Sequence, residues 1–173
     1  IKSVFSYEFI STDIAQHQVN FYASSSLLWD TEQGEAIAYG NLLHDILSHI
    51  FTADDIEQTL QRYLSQGIIN KVDSNALQNK IEKIIEHPNL KIYYQHNLTV
   101  YNEREIVNTQ GVSIIPDRVV ILPNKKAVVI DYKTGMQENI HKTQVENYAR
   151  YLSEMGYEVA SKLLVYIGDV VEV

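Results

Sequence analysis

The chain has 173 residues, 45% hydrophobic and 21% charged, with no cysteine and a formal net charge of −8. That length and composition describe one globular domain with a real core, not a disordered, collagenous or low-complexity chain. The missing thiols exclude disulfides, thiolate zinc sites, iron–sulfur clusters and cysteine nucleophiles, apolar runs no longer than Leu163 to Ile167 exclude a membrane-spanning helix, and the acidic balance confines any polyanion binding to a local site.

Residues 1–35 read as an irregular or helical lead-in, with Ser24-Ser25-Ser26, several aromatics and the lone Trp29. Neither an initiator methionine nor a basic-then-apolar secretion signal opens the chain. Residues 36–173 are therefore expected to be a single domain cut from a longer cytoplasmic protein. A helix is predicted over Glu35 to Phe51, where Leu43, Ile46, Leu47 and Ile50 recur at three- and four-residue spacing. Thr52-Ala53-Asp54-Asp55 then offers an N-cap with acidic first-turn residues. Ile56, Leu60, Tyr63 and Leu64 carry a second helix to a stop at Gly67. Asp73 or Ser74 is expected to cap a third helix aligning Leu77, Ile81, Ile84 and Ile85, and Pro88 suits the first turn of a short fourth element.

Near Leu98 the texture changes to strands. Leu98 to Tyr101 with Ile106-Val107 reads as one strand, and Gln110-Gly111 as a turn. Ile114 to Leu122 is a second strand with Pro116 near its start. After a turn at Pro123-Asn124, Ala127 to Tyr132 is a third strand, apolar almost throughout and hence central. Short turns make these three an antiparallel meander. A helix over Asn139 to Met155, closed by Gly156, permits a crossover to a parallel fourth strand, Tyr157 to Ile167. The expected class is α/β, with a helical N-terminal half and a small mixed sheet flanked by helices.

The chemistry concentrates at the end of the third strand. Side chains two apart on a strand point the same way, so Asp131 and Lys133 project together from its end. Asp117, on the adjacent strand of the hairpin, leans toward the same spot. Two close carboxylates repel unless a cation lies between them, and hard oxygen ligands favour Mg²⁺ or Mn²⁺. Such an ion polarises a phosphoryl oxygen and acidifies water, while Lys133 can orient that water or offset charge at phosphorus. An Asp-x-Lys alone is common on protein surfaces; Pro116-Asp117 upstream and Thr134-Gly135 downstream set this one apart. Gln144 and Tyr148, at i and i+4 on the next helix, share a face. Glu103 and Glu105 are expected on one face of the first strand, as a further ligand or as two exposed carboxylates. His44 matters only if its helix packs beside the active end of the sheet, and His141 is a minor candidate for contact with DNA.

Together, Gly40-x-x-x-His44, Pro116-Asp117-Arg118, Asp131-Tyr132-Lys133-Thr134-Gly135 and Gln144-x-x-x-Tyr148 resemble the RecB-like branch of the PD-(D/E)XK nucleases. More narrowly, they resemble the C-terminal nuclease domain of RecB/AddA-type (UvrD-like) helicase–nucleases. The resemblance implies a restriction-endonuclease-like core and a metal-dependent DNA exonuclease of repair and recombination. It implies Mg²⁺ or Mn²⁺ as cofactor, single-stranded DNA as substrate, and as partners helicase domains of the same chain and a second helicase–nuclease subunit. His44, Asp117, Asp131 and the Tyr132 backbone carbonyl match the family's metal ligands, and Lys133 its catalytic lysine beside Asp117 and Asp131. Gln144 and Tyr148 match residues of DNA contact and site support, and Glu103 the acidic position on the preceding strand. Zero cysteines exclude the iron–sulfur subtype, and without a Walker A motif the fragment holds no ATPase. Two alternatives stand beside this reading. One is an inactive DNA-binding or docking module on the same scaffold, against which the intact His44, Asp117, Asp131 and Lys133 argue. The other is a stand-alone sequence-specific endonuclease, for which no base-reading element is evident.

Overall fold

A computed structural model describes residues 32–108, 111–168 and 170–173. The reading of residues 1–31 and the Gln110 half of the expected turn lie outside the described residues. The helical half consists of α1 (Glu32–Ser48), α2 (Asp55–Ser65) and α3 (Lys71–Ile85), followed by a 3-10 turn at Lys91–Tyr94. The strands are β1 (Thr99–Asn102), β2 (Ile106–Val107), β3 (Ser113–Ile114), β4 (Arg118–Leu122) and β5 (Lys126–Lys133). Helix α4 (Asn139–Glu154), β6 (Glu158–Ile167) and β7 (Val171–Glu172) complete the order.

The main sheet runs β1-β4-β5-β6-β7, antiparallel at every junction except the parallel β5–β6 pair that α4 bridges. The expected meander, crossover helix and parallel strand are all present. Strand β5 is central and buried from Ala127 to Tyr132, so alternate side chains enter two separate cores. Val128, Ile130 and Tyr132 join Leu43, Ile46, Leu47 and Ile50 of α1 and the apolar stripes of α2 and α3. Ala127 and Val129 join Val145, Tyr148, Tyr151 and Leu152 of α4.

Four local expectations are corrected. The first strand does not continue into Ile106-Val107: Glu103 adopts a left-handed backbone (φ 44°), which breaks the pleat after Asn102. Ile106-Val107 instead pairs with Ser113-Ile114 in a separate two-stranded ribbon, so the expected second strand is also split, around Pro116. Helix α3 is capped by Asn70, whose Oδ1 accepts from the backbone N–H groups of Val72 and Asp73. At α2, Asp55 reaches back to accept from the N–H groups of Phe51 and Thr52, the reverse arm of a capping box.

Candidate active site

Register arithmetic places the acids. Strand β4 pairs with β5 through Arg118↔Ile130 and with β1 through Asn102↔Arg118. One step further along both ladders, Glu103, Asp117 and Asp131 fall in a single row across three adjacent chain segments. The Glu103 N–H donates to the Asp117 carbonyl at 2.9 Å, which carries the row one step past the β1–β4 ladder. Arg118, the next residue, turns to the opposite face and is 1% exposed. Its guanidinium donates to the carbonyls of Ile50 (2.9 Å), Phe51 (2.8 Å) and Tyr93 (2.9 Å) and to Asn102 Oδ1 (3.1 Å). It also lies 3.9 Å from the Tyr94 ring centroid. Arg118 thus fastens the chain beyond α1 and the 3-10 turn to β4, immediately beside Asp117.

The two faces of β5 feed one rim. On the α4 side, Asp131 is 0% exposed. Lys133 Nζ stands 2.6 Å from Asp131 Oδ2. Beyond this ion contact neither carboxylate oxygen has a hydrogen-bond partner among the described residues. Burial, followed by repulsion from Asp117, raises its carboxyl to about 6 against the partial relief supplied by Lys133 and His44. From the neighbouring segment, Asp117 Oδ2 accepts from the Tyr132 backbone N–H at 2.7 Å and lies 3.5 Å from His44 Nδ1 of α1. Burial alone would hold the His44 imidazole neutral; the hydrogen bond and charge of Asp117 outweigh it and raise its pKa above the usual histidine value. The His44 and Tyr132 rings meet edge-on, 6.2 Å between centroids. Helix α1 therefore packs beside the end of the sheet that carries Asp117 and Asp131.

One turn before His44, Gly40 abuts the same segment: a Cβ there would fall 2.6 Å from Thr134 Oγ1. The space in Gly40-x-x-x-His44 is thus a packing contact with the residue after Lys133. Gln144 Nε2 donates to Tyr148 Oη at 2.5 Å. Burial and the charges of Asp131 and Asp117 raise the Tyr148 phenol to about 12, although the Gln144 bond works the other way. Tyr148 thus lies within electrostatic reach of the carboxylates and stays protonated at any physiological pH. Glu103 retains exposed surface, yet desolvation and the nearby Asp117 and Asp45 raise its pKa. It sits beside the rim on a left-handed turn rather than sharing a strand face with Glu105.

The rim accordingly gathers His44, Asp117, Asp131, Lys133, Tyr148 and Glu103. Among the described residues no three histidine, aspartate or glutamate side chains form a ready-made cation cage. The nearest approach to a ligand set is the buried Asp131 carboxylate with Asp117 opposite it, a donor chemistry that fits Mg²⁺ or Mn²⁺. Sequence patterns missed the Arg118 clamp and the Gly40–Thr134 contact. The acidic row was open to inference, because fixing the β4–β5 register from the hairpin turn sets Asp117 against Asp131.

No curated protein matches the chain. A profile of the PD-(D/E)XK nuclease superfamily matches residues 17–169.

Proposed function

The chain belongs to the PD-(D/E)XK nuclease superfamily, with the restriction-endonuclease-like core of that family, and from that premise we propose that it is a divalent-metal-dependent deoxyribonuclease whose hydrolytic site is the β4–β5 rim. Members of this superfamily generally hydrolyse phosphodiester bonds and typically use divalent metals. The proposal extends to an exonuclease on single-stranded DNA, working in repair or recombination beside helicase domains of a longer chain. The single observation that carries it is Asp131: a fully buried carboxylate, opposed by a second acid, whose one partner is the Lys133 ammonium. Native interiors rarely keep such a group unless a ligand completes it.

Asp131, Asp117, His44 and the Tyr132 carbonyl would hold the cation. When bound it supplies an electrophile for a phosphoryl oxygen and a more acidic water. Lys133 is the chain's own source of positive charge at the rim, set to stabilise negative charge that develops at phosphorus. Asp117 accepts from the Tyr132 N–H and so fixes the orientation of its carboxylate before substrate arrives. Tyr148 accepts from Gln144, which leaves its own hydroxyl hydrogen for a phosphate oxygen. No helix among the described residues is long and apolar enough to cross a membrane.

The test is cleavage of end-labelled single-stranded DNA with Mg²⁺ or Mn²⁺. Wild type is expected to cut, and Asp131→Ala and Lys133→Ala to lose at least about a hundredfold in rate. Cleavage equal in all three proteins contradicts the assignment and returns the chain to a docking role.

A further inference from the structure

Beyond the rim, the α4 face of the sheet continues onto β6. The parallel register pairs Asp131 with Leu164 and Lys133 with Tyr166. Paired residues on neighbouring strands share a face, so the Tyr166 phenol stands on the same side as Lys133, one strand over. Helix α4 meets it there. His141 Nδ1 lies 3.1 Å from Tyr166 Oη, with the two rings tilted by 44° at 5.8 Å between centroids. His141 precedes Gln144 by three residues and Tyr148 by seven, so all three fall on one stripe of the helix. Both His141 and Tyr166 are half-buried. Next to them a surface groove of about 490 Å³ opens between α4 and the β6–β7 edge, lined by Gln137, Lys142, Lys162 and Tyr166 among others.

We infer that His141 and Tyr166 form a second phosphodiester-contacting point, which holds the nucleic-acid strand on the β6 side of the bond being cut and leads it into this groove. The inference rests on the nuclease reading above. Its occupant is a nucleic-acid backbone because the pair stands one strand from Lys133 on the same face and presents a donor to an outside phosphate. When the Tyr166 hydroxyl donates to Nδ1, the neutral imidazole carries its proton on Nε2, a donor left for an outside acceptor. The charges lining the groove balance, Lys142 and Lys162 against Glu146 and Glu172. Lys162 is held by Glu146 at 2.6 Å, and Glu172 accepts from Gln137 at 2.8 Å. The strand is therefore gripped at the His141–Tyr166 point more than drawn in by charge, in keeping with a chain whose net charge is −8.

Two substrates separate this role from the chemistry. Bis(4-nitrophenyl) phosphate has one phosphodiester and reaches only the rim; a single-stranded oligonucleotide reaches both points. In His141→Ala/Tyr166→Phe with Mn²⁺, the ratio of kcat/KM for the oligonucleotide to that for the small diester is expected to fall about tenfold, the worth of one hydrogen bond. The loss should lie in the oligonucleotide's KM. An unchanged ratio overturns the inference, as does a loss confined to kcat. Wild-type protein inactive on both substrates defeats the nuclease reading instead. Fluorescence anisotropy of a labelled oligonucleotide then decides this point separately: weaker binding by the double variant supports it, and equal affinity overturns it.

Discussion

Asp131 holds a buried charge that Lys133 compensates only in part, and its protonation shows how. Its carboxyl, raised to about 6, binds a proton more tightly in the folded chain than in the unfolded one. The stability it contributes is therefore full below the ordinary carboxylate range and is lost as pH rises through about 6. The raised pKa values of His44 and Glu103 act in the same direction. In EDTA, melting temperature is expected to fall between pH 4 and pH 7, and Asp131→Asn to flatten that fall and melt higher than wild type at pH 8. A wild-type profile that rises over this range, or an Asn variant less stable at pH 8, contradicts the picture of an unsatisfied buried acid. The pairing of Asp131 with Lys133 was legible in the sequence because period two on a buried strand leaves no alternative face. The Tyr94–Tyr132 hydroxyl contact was not, since nothing local links a 3-10 turn to a strand 38 residues later.

At the scale of elements, the site depends on how the chain around α1 is tied to the sheet. Arg118 does this with four hydrogen bonds to three separate segments, and Gly40 lets α1 lie against Thr134. Arg118→Ala would leave the carbonyls of Ile50, Phe51 and Tyr93 without that donor, at a cost of at least about 3 kcal/mol. Arg118→Lys should recover only part, because an ammonium cannot span the same fork of acceptors. Urea unfolding of both variants measures this, and a cost below about 1 kcal/mol for Ala would show that the clamp is dispensable. Helix and strand identities were readable from apolar spacing. Their ends were less so: alternation cannot report that Glu103 turns left-handed, and Asn70 outcompetes Asp73 and Ser74 as a cap only because the helix begins three residues before Ser74. The short β7 pairing carries too few residues to show a period.

Over the whole molecule, one strand organises everything. β5 is sandwiched between an α1–α2–α3 core and an α4 core, and its exposed end is where the candidate site residues of both faces meet. That is why His44 of the first helix and Tyr148 of the last attend the same carboxylates despite 104 residues of separation in the chain. The family motifs made this convergence an expectation; the strand register explains it physically. The central claim is that Asp131 and Asp117 are incomplete without a divalent cation. Calorimetric titration of the EDTA-stripped chain with Mn²⁺ tests it most directly. The account predicts binding by wild type, at least about tenfold weaker in Asp131→Asn because a charged ligand is removed. No measurable heat of binding in wild type, or equal affinity in the two proteins, would contradict it.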